Sequence, residues 1–93
     1  VAEGREYLYR ELDRLGLPYV RSQANFVFFD AGVDSRALFD ELMRRGVTVR
    51  TGDIFGYPTF IRVSIGTAEQ MSKFVGALEE SLDVLGSPRG PGG

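Results

Sequence analysis

Cysteine and histidine are both absent from this sequence of 93 residues, and lysine occurs once, as Lys73. Without cysteine, the chain has no disulfide framework, no thiolate metal site and no cysteine nucleophile. Without histidine, it lacks the commonest general base and the commonest ligand of transition metals. We therefore expect neither a metal site nor a catalytic residue of these kinds in the chain.

A strong charge imbalance and a long apolar run are also missing. Eleven basic and thirteen acidic residues leave a formal net charge of −2, which argues against a nucleic-acid binder that depends on phosphate contacts. No apolar run approaches the ~20 residues needed to span a bilayer, so we expect no membrane span. The apolar share of 43% and the charged share of 26% are typical of one ordinary globular domain.

Three segments have the spacing of amphipathic helices. The first covers residues 1–15 and ends at Gly16, which can adopt the left-handed conformation that follows a helix. The second begins after Asp34, and its apolar face consists of Leu38, Phe39, Leu42 and Met43. The third begins with the capping-box sequence of residues 67–70 and continues to Leu85. Each helix therefore offers one apolar stripe to a common core.

Strand patterns lie between these helices, at residues 19–21, 25–29, 47–50 and 61–65. The loop between the last two is long and unusually aromatic, with Phe55, Tyr57 and Phe60. Three helices with one apolar face each can cover one side of such a sheet. The order of elements predicts an α/β (α+β) two-layer sandwich, in which a small, mostly antiparallel sheet carries three helices on one face.

Two arginines share the side of the sheet that faces away from these helices. Apolar residues of the last two strands alternate with Arg50 and Arg62, so neighbouring strands would project both guanidiniums from one side. A guanidinium binds a carboxylate or phosphate through two parallel hydrogen bonds, which makes an anion site one interpretation. The other interpretation is that both arginines are solvated or paired with nearby acids, and that the loop aromatics close the end of the core.

Four blocks of the sequence occur in an order and spacing that resemble those of one known family. They are SQANFVF at residues 22–28, GVTVR at 46–50, FG at 55–56 and IRVSIGTAEQ at 61–70. Together they resemble the C-terminal part of the histidinol-phosphate aminotransferase family, a class-II group within the fold-type-I enzymes that depend on pyridoxal phosphate. The resemblance extends from about Val1 to Leu85.

The resemblance implies that residues 1–86 are the small C-terminal domain of a larger enzyme and that residues 87–93 form a disordered tail. In such an enzyme Arg62 would bind the substrate carboxylate or phosphate, and Arg50 would help to hold the phosphate. The implied substrates are histidinol phosphate and glutamate or 2-oxoglutarate. The implied whole enzyme is a cytoplasmic homodimer of histidine biosynthesis.

Pyridoxal phosphate would be bound by the large domain, which lies outside this sequence together with the lysine that holds the cofactor covalently. Lys73 is expected to be a surface lysine with Glu69 as its partner, because it falls on the polar side of the last helix. The chain alone would therefore contain substrate-binding residues, no catalytic or cofactor-binding residues, and no activity.

Other functions remain open at this point. The chain could belong to another class-II aminotransferase, such as one for aromatic amino acids, or to a threonine-phosphate decarboxylase. It could also be a free-standing ligand-binding or regulatory module of ferredoxin-like type. We expect a longer protein, with roughly 250 further residues before Val1 that include the cofactor lysine.

Overall fold

The computed structural model describes residues 2–21 and 24–86. Its helices are α1 (Ala2–Leu15), α2 (Ser35–Arg44) and α3 (Ala68–Val84). Its strands are β1 (Tyr19–Val20), β2 (Phe26–Asp30), β3 (Arg50–Thr51) and β4 (Phe60–Ser64), with a 3-10 turn (Asp53–Phe55) before β4. The predicted tail at residues 87–93 lies outside the described residues.

The four strands form one sheet in the order β1-β2-β4-β3, and every neighbouring pair is antiparallel. Strand β4 is therefore flanked by β2 on one side and β3 on the other. In the register of the sheet, Arg62 of β4 lies opposite Phe28 of β2 and opposite Arg50 of β3. The antiparallel sheet confirms the predicted fold class.

One face of the sheet is covered by all three helices. Strands β2 and β4 bury alternate residues against them, because successive side chains of a strand point to opposite faces. The largest fully buried side chains are Phe29, Leu8, Leu12, Leu38, Leu42, Ile61, Leu78, Leu82 and Val27. The two-layer arrangement is confirmed.

None of the helices in the described part of the chain is both long and apolar enough to cross a membrane.

Helices α1 and α2 end as the sequence predicts, at glycines with positive φ. Gly16 has φ +73°, and the N–H of Leu17 donates to the carbonyl oxygen of Leu12 at 2.9 Å. Gly46 has φ +80°, and the N–H of Val47 bonds back into α2 in the same way at 2.9 Å. Such hydrogen bonds satisfy carbonyl groups that the helix end would leave unpaired.

Several predicted bounds differ by one residue from those of the structure, and two further details of the predicted elements are wrong. Met43 was expected on the buried face of α2, but it is 48% exposed, because the helix turns a narrower stripe towards the sheet. The third strand was expected over residues 47–50, but β3 contains only Arg50 and Thr51. Its start is delayed because the N–H of Val47 is already bonded to the end of α2.

Candidate anion-binding site

We call the face of the sheet away from the helices the open face, because α1, α2 and α3 pack on the opposite side. The side chains on this face include Val20, Phe26, Phe28, Asp30, Arg50, Phe60, Arg62 and Ser64. The Asp30 carboxylate accepts hydrogen bonds from the Thr59 hydroxyl and the N–H of Gly32. Arg50 and Arg62 are direct cross-strand partners. The structure therefore brings the two arginines singled out in the sequence together on one side of the sheet.

The charge of these two arginines is not neutralised within the described chain. In residues 2–21 and 24–86, no carboxylate oxygen lies within 4.0 Å of either guanidinium. By contrast, Arg14, Arg44 and Arg45 each pair with a glutamate at 2.6–2.8 Å. Like charges placed directly opposite on a sheet destabilise it. An anion between Arg50 and Arg62 would remove this repulsion. The interpretation that both arginines pair with nearby acids is wrong for the described chain.

A cavity of about 570 Å³ opens beside the two arginines. This volume lies within the range of small-molecule sites, roughly 300–1,000 Å³. The polar groups at its wall include three hydroxyls and three guanidiniums, and the residues that carry them are Thr48, Thr51, Ser64, Arg36, Arg50 and Arg62. The cavity therefore offers hydrogen-bond donors and positive charge, the combination that an anionic ligand needs.

Asp53 fixes the turn at the rim of this cavity. Its carboxylate accepts a hydrogen bond from the Thr51 hydroxyl at 2.5 Å. The same carboxylate forms an ion pair with Arg36, whose Nε lies 3.2 Å from Oδ2. The Thr51 hydroxyl, and to a lesser degree the Arg36 charge, hold the pKa of Asp53 below its ordinary value. These contacts connect β3, the turn and α2, so the rim has a defined position before any ligand binds.

The Asp53 contacts predict a pH-dependent stability. Because its pKa is lower in the folded chain than the ordinary 3.8, the carboxylate stabilises the fold above about pH 4, and this contribution is lost as the pH falls through the folded pKa. We expect Asp53→Asn to destabilise the chain at neutral pH and to converge with the wild type in acid. Denaturant unfolding across this pH range measures both curves. A constant gap between them would contradict the prediction.

The aromatic residues of the long loop do not close the end of the core, as one interpretation of the sequence proposed. Phe55 is 68% exposed and Tyr57 is 51% exposed. Tyr57 lies instead over the open face, where its ring contacts Phe28 and Phe60 with centroid separations of 5.8 and 5.3 Å. Half-buried Phe60 packs on Phe28 at 4.7 Å. Together these three rings form an aromatic cluster on the open face.

Sequence reasoning missed two residues of this region. Arg36, in the first turn of α2, lines the cavity with Arg50 and Arg62. The ring of Phe26 lies under the Arg62 guanidinium, whose central carbon is 4.7 Å from the ring centroid. The alternation of β2 and β4 could have placed Phe26 on the open face, but its contact with Arg62 depends on the register between the two strands.

The described residues do not fit a pyridoxal phosphate site. A lysine that binds the cofactor covalently must be desolvated, with a free amine. Lys73 is exposed on α3, as the sequence predicts. Its expected pairing with Glu69 is wrong, because no ion pair joins the two within the described ranges.

Known proteins are similar to this chain in sequence and in fold. The family model for class I and II aminotransferases matches residues 1–78. The chain belongs to this family. It is 54% identical to a histidinol-phosphate aminotransferase of Moorella thermoacetica over 81 residues, which cover 87% of the chain and 21% of that protein. Identity to a histidinol-phosphate aminotransferase of Symbiobacterium thermophilum is also 54%, over 86% of the chain and 22% of that protein.

A solved aminotransferase has the same arrangement of helices and strands. The crystal structure of an aminotransferase from Eubacterium rectale superimposes with a TM-score of 0.74 and 26% identity, over 90% of this aminotransferase-family chain and 22% of that structure. The chain thus spans about a fifth of the length of the relatives that it matches. The resemblance in the sequence is confirmed at the level of the family.

Proposed function

We propose that this chain is the substrate-binding C-terminal part of a transaminase that acts on histidinol phosphate and 2-oxoglutarate. The observation that carries the proposal is the cross-strand pair of Arg50 and Arg62, which no carboxylate of the described chain neutralises. The names of the 54% identical relatives support histidinol phosphate as the substrate. The same names support a role for the whole protein in histidine biosynthesis.

The two substrates present different anions to one pocket. The amino group leaves histidinol phosphate, which becomes the corresponding ketone, and it arrives on 2-oxoglutarate, which becomes glutamate. Histidinol phosphate carries a phosphate and no carboxylate, whereas glutamate carries carboxylates alone. A guanidinium matches both anions through paired N–H donors. Arg62 would therefore hold the anion of either substrate, and Arg50 would add charge for the phosphate.

The remaining chemistry would come from outside this chain. Pyridoxal phosphate, bound by the large domain of the whole protein, would carry the amino group between the two substrates. We propose that the whole protein is a cytoplasmic homodimer. Within this chain, Arg50, Arg62 and the ordered rim beside them bind and orient the substrate.

The test is transamination by the full-length protein that contains this chain. With histidinol phosphate and 2-oxoglutarate as substrates, we expect glutamate to accumulate in equal amounts with the ketone. Parallel assays use an aromatic amino acid as the amino donor, and threonine phosphate with detection of released CO₂. Faster turnover of either alternative substrate would overturn the proposal and assign the protein to another class-II activity.

The chain of residues 1–93 by itself is expected to be inactive. Because Lys73 is exposed and the described residues do not form a cofactor site, pyridoxal phosphate should remain unbound and no transamination should occur. Absorption spectra of the chain mixed with pyridoxal phosphate check this expectation, with Lys73→Ala as the matched control. A spectral change in the wild type that disappears in Lys73→Ala would contradict it.

A further inference from the structure

We infer that Phe26 is a positioning residue, which holds the Arg62 guanidinium in the orientation that binds the substrate anion. The inference deepens the proposed function and rests on its assignment of Arg62. Its basis is the contact in which the central guanidinium carbon of Arg62 lies over the Phe26 ring, 4.7 Å from the ring centroid. This distance is within the range of a cation–π interaction, up to about 6 Å.

The register of the sheet explains why Arg62 extends towards Phe26. Arg62 is on β4, with Arg50 directly opposite on β3 and with β2 on the other side. Phe26 of β2 pairs with Ser64, so it is the diagonal neighbour of Arg62, and long side chains can reach a diagonal neighbour. Repulsion from Arg50 and attraction to the ring of Phe26 act in the same direction. Both effects favour a separation of the two guanidiniums, which an anion bound between them would require.

An aromatic ring can orient an arginine without using its hydrogen-bond donors. The ring attracts the cation through its negative face, so the five N–H donors at the guanidinium edge stay available. A carboxylate partner would occupy these donors, as Glu11 and Glu79 do for Arg14. Phe26 does not line the cavity beside the arginines. Its influence on a ligand would therefore pass through Arg62.

The experiment measures the binding of inorganic phosphate to the full-length holoenzyme, whose cofactor site is occupied, by calorimetry. Phe26→Leu removes the ring, and we expect the phosphate affinity to fall about two- to fivefold, the loss of one partly exposed cation–π contact. The KM values of both substrates should rise by the same factor while kcat is unchanged. Phe26→Trp keeps an aromatic face and should restore the affinity.

Phe60→Leu is the matched control. Phe60 is half-buried on the same face and packs on Phe28 and Tyr57, and among the described residues no guanidinium lies over its ring. We expect this variant to retain the phosphate affinity of the wild type.

Should Phe26→Leu fail to fold, Phe26→Met serves as the non-aromatic variant with a larger, flexible side chain. An equal loss in Phe60→Leu and Phe26→Leu, or a Phe26→Trp as weak as Phe26→Leu, would overturn the inference.

A double-mutant cycle tests whether Phe26 acts through Arg62. In an Arg62→Ala background, Phe26→Leu should cause no further loss of phosphate affinity, because interacting residues are non-additive. Additive losses would contradict the inference, and so would a wild-type holoenzyme that does not bind phosphate. A holoenzyme that binds phosphate with the expected pattern but does not transaminate histidinol phosphate would refute the proposed substrate while supporting the role of Phe26.

Discussion

Replacement of Arg62 by lysine is expected to weaken the binding of both substrates to the full-length protein by about ten- to a hundredfold. Lysine keeps the positive charge but loses the planar fork, so it satisfies one oxygen of the anion well instead of two. The loss of a hydrogen bond to a charged group costs on the order of 1.5–3 kcal/mol, which corresponds to this range of affinity.

The location of Arg62 explains why both half-reactions should be affected. It lies half-buried on the central part of the open face and lines the cavity, so the phosphate of one substrate and the carboxylate of the other would meet the same guanidinium. Single-turnover kinetics with glutamate and with histidinol phosphate measure each half-reaction separately. Arg14→Lys is the control, because Arg14 pairs with glutamates and does not line the cavity. Unchanged kinetics in Arg62→Lys would show that the arginine is only a solvated residue of the sheet.

Arg50→Ala should discriminate between the two substrates. Arg50 is exposed at the edge of the sheet, directly opposite Arg62, and its added charge matters most for the more highly charged phosphate group. We therefore expect a larger loss for histidinol phosphate than for glutamate in the same single-turnover measurements. Equal losses for both substrates would contradict the separate role of Arg50.

Phe29→Ala is expected to lower the free energy of unfolding of the chain by about 3–5 kcal/mol, the usual cost of removing a large aromatic side chain from a core. Phe29 is fully buried at the centre of the sheet and packs edge-to-face against Phe74 of α3, with ring centroids 6.2 Å apart. The alanine would leave a cavity between sheet and helix. Small domains have a total stability of roughly 5–15 kcal/mol, so much of the stability would be lost.

The matched control for this core variant is Phe55→Ala. Phe55 is 68% exposed at the turn before β4, and surface substitutions of this kind usually change stability by less than about 0.5 kcal/mol. Denaturant unfolding of residues 1–93, followed by circular dichroism, compares the midpoints of the wild type and both variants. Similar midpoints for Phe29→Ala and Phe55→Ala would show that the core is not organised around β2 as described.

The amino-acid sequence by itself determined the helices, their ends and the faces of the strands. Gly16 and Gly46 end their helices with the expected hydrogen bonds, and the capping box at Thr67 is present. These features depend on residues within about five positions of one another, so local propensity and periodicity are sufficient to predict them. The alternation in β4 likewise placed Arg62 on the side opposite to the core.

Only the tertiary structure decided which of these residues meet. The opposition of Arg50 and Arg62, the ring of Phe26 under Arg62, and the ion pair of Arg36 with Asp53 join residues 12 to 36 positions apart. Each contact depends on the order of the strands and on their register, and a shift of one residue would turn every side chain of a strand to the other face. The sequence pattern gives the face of each residue, whereas the packing of helices on the sheet selects the register and thereby brings the residues of the candidate site together.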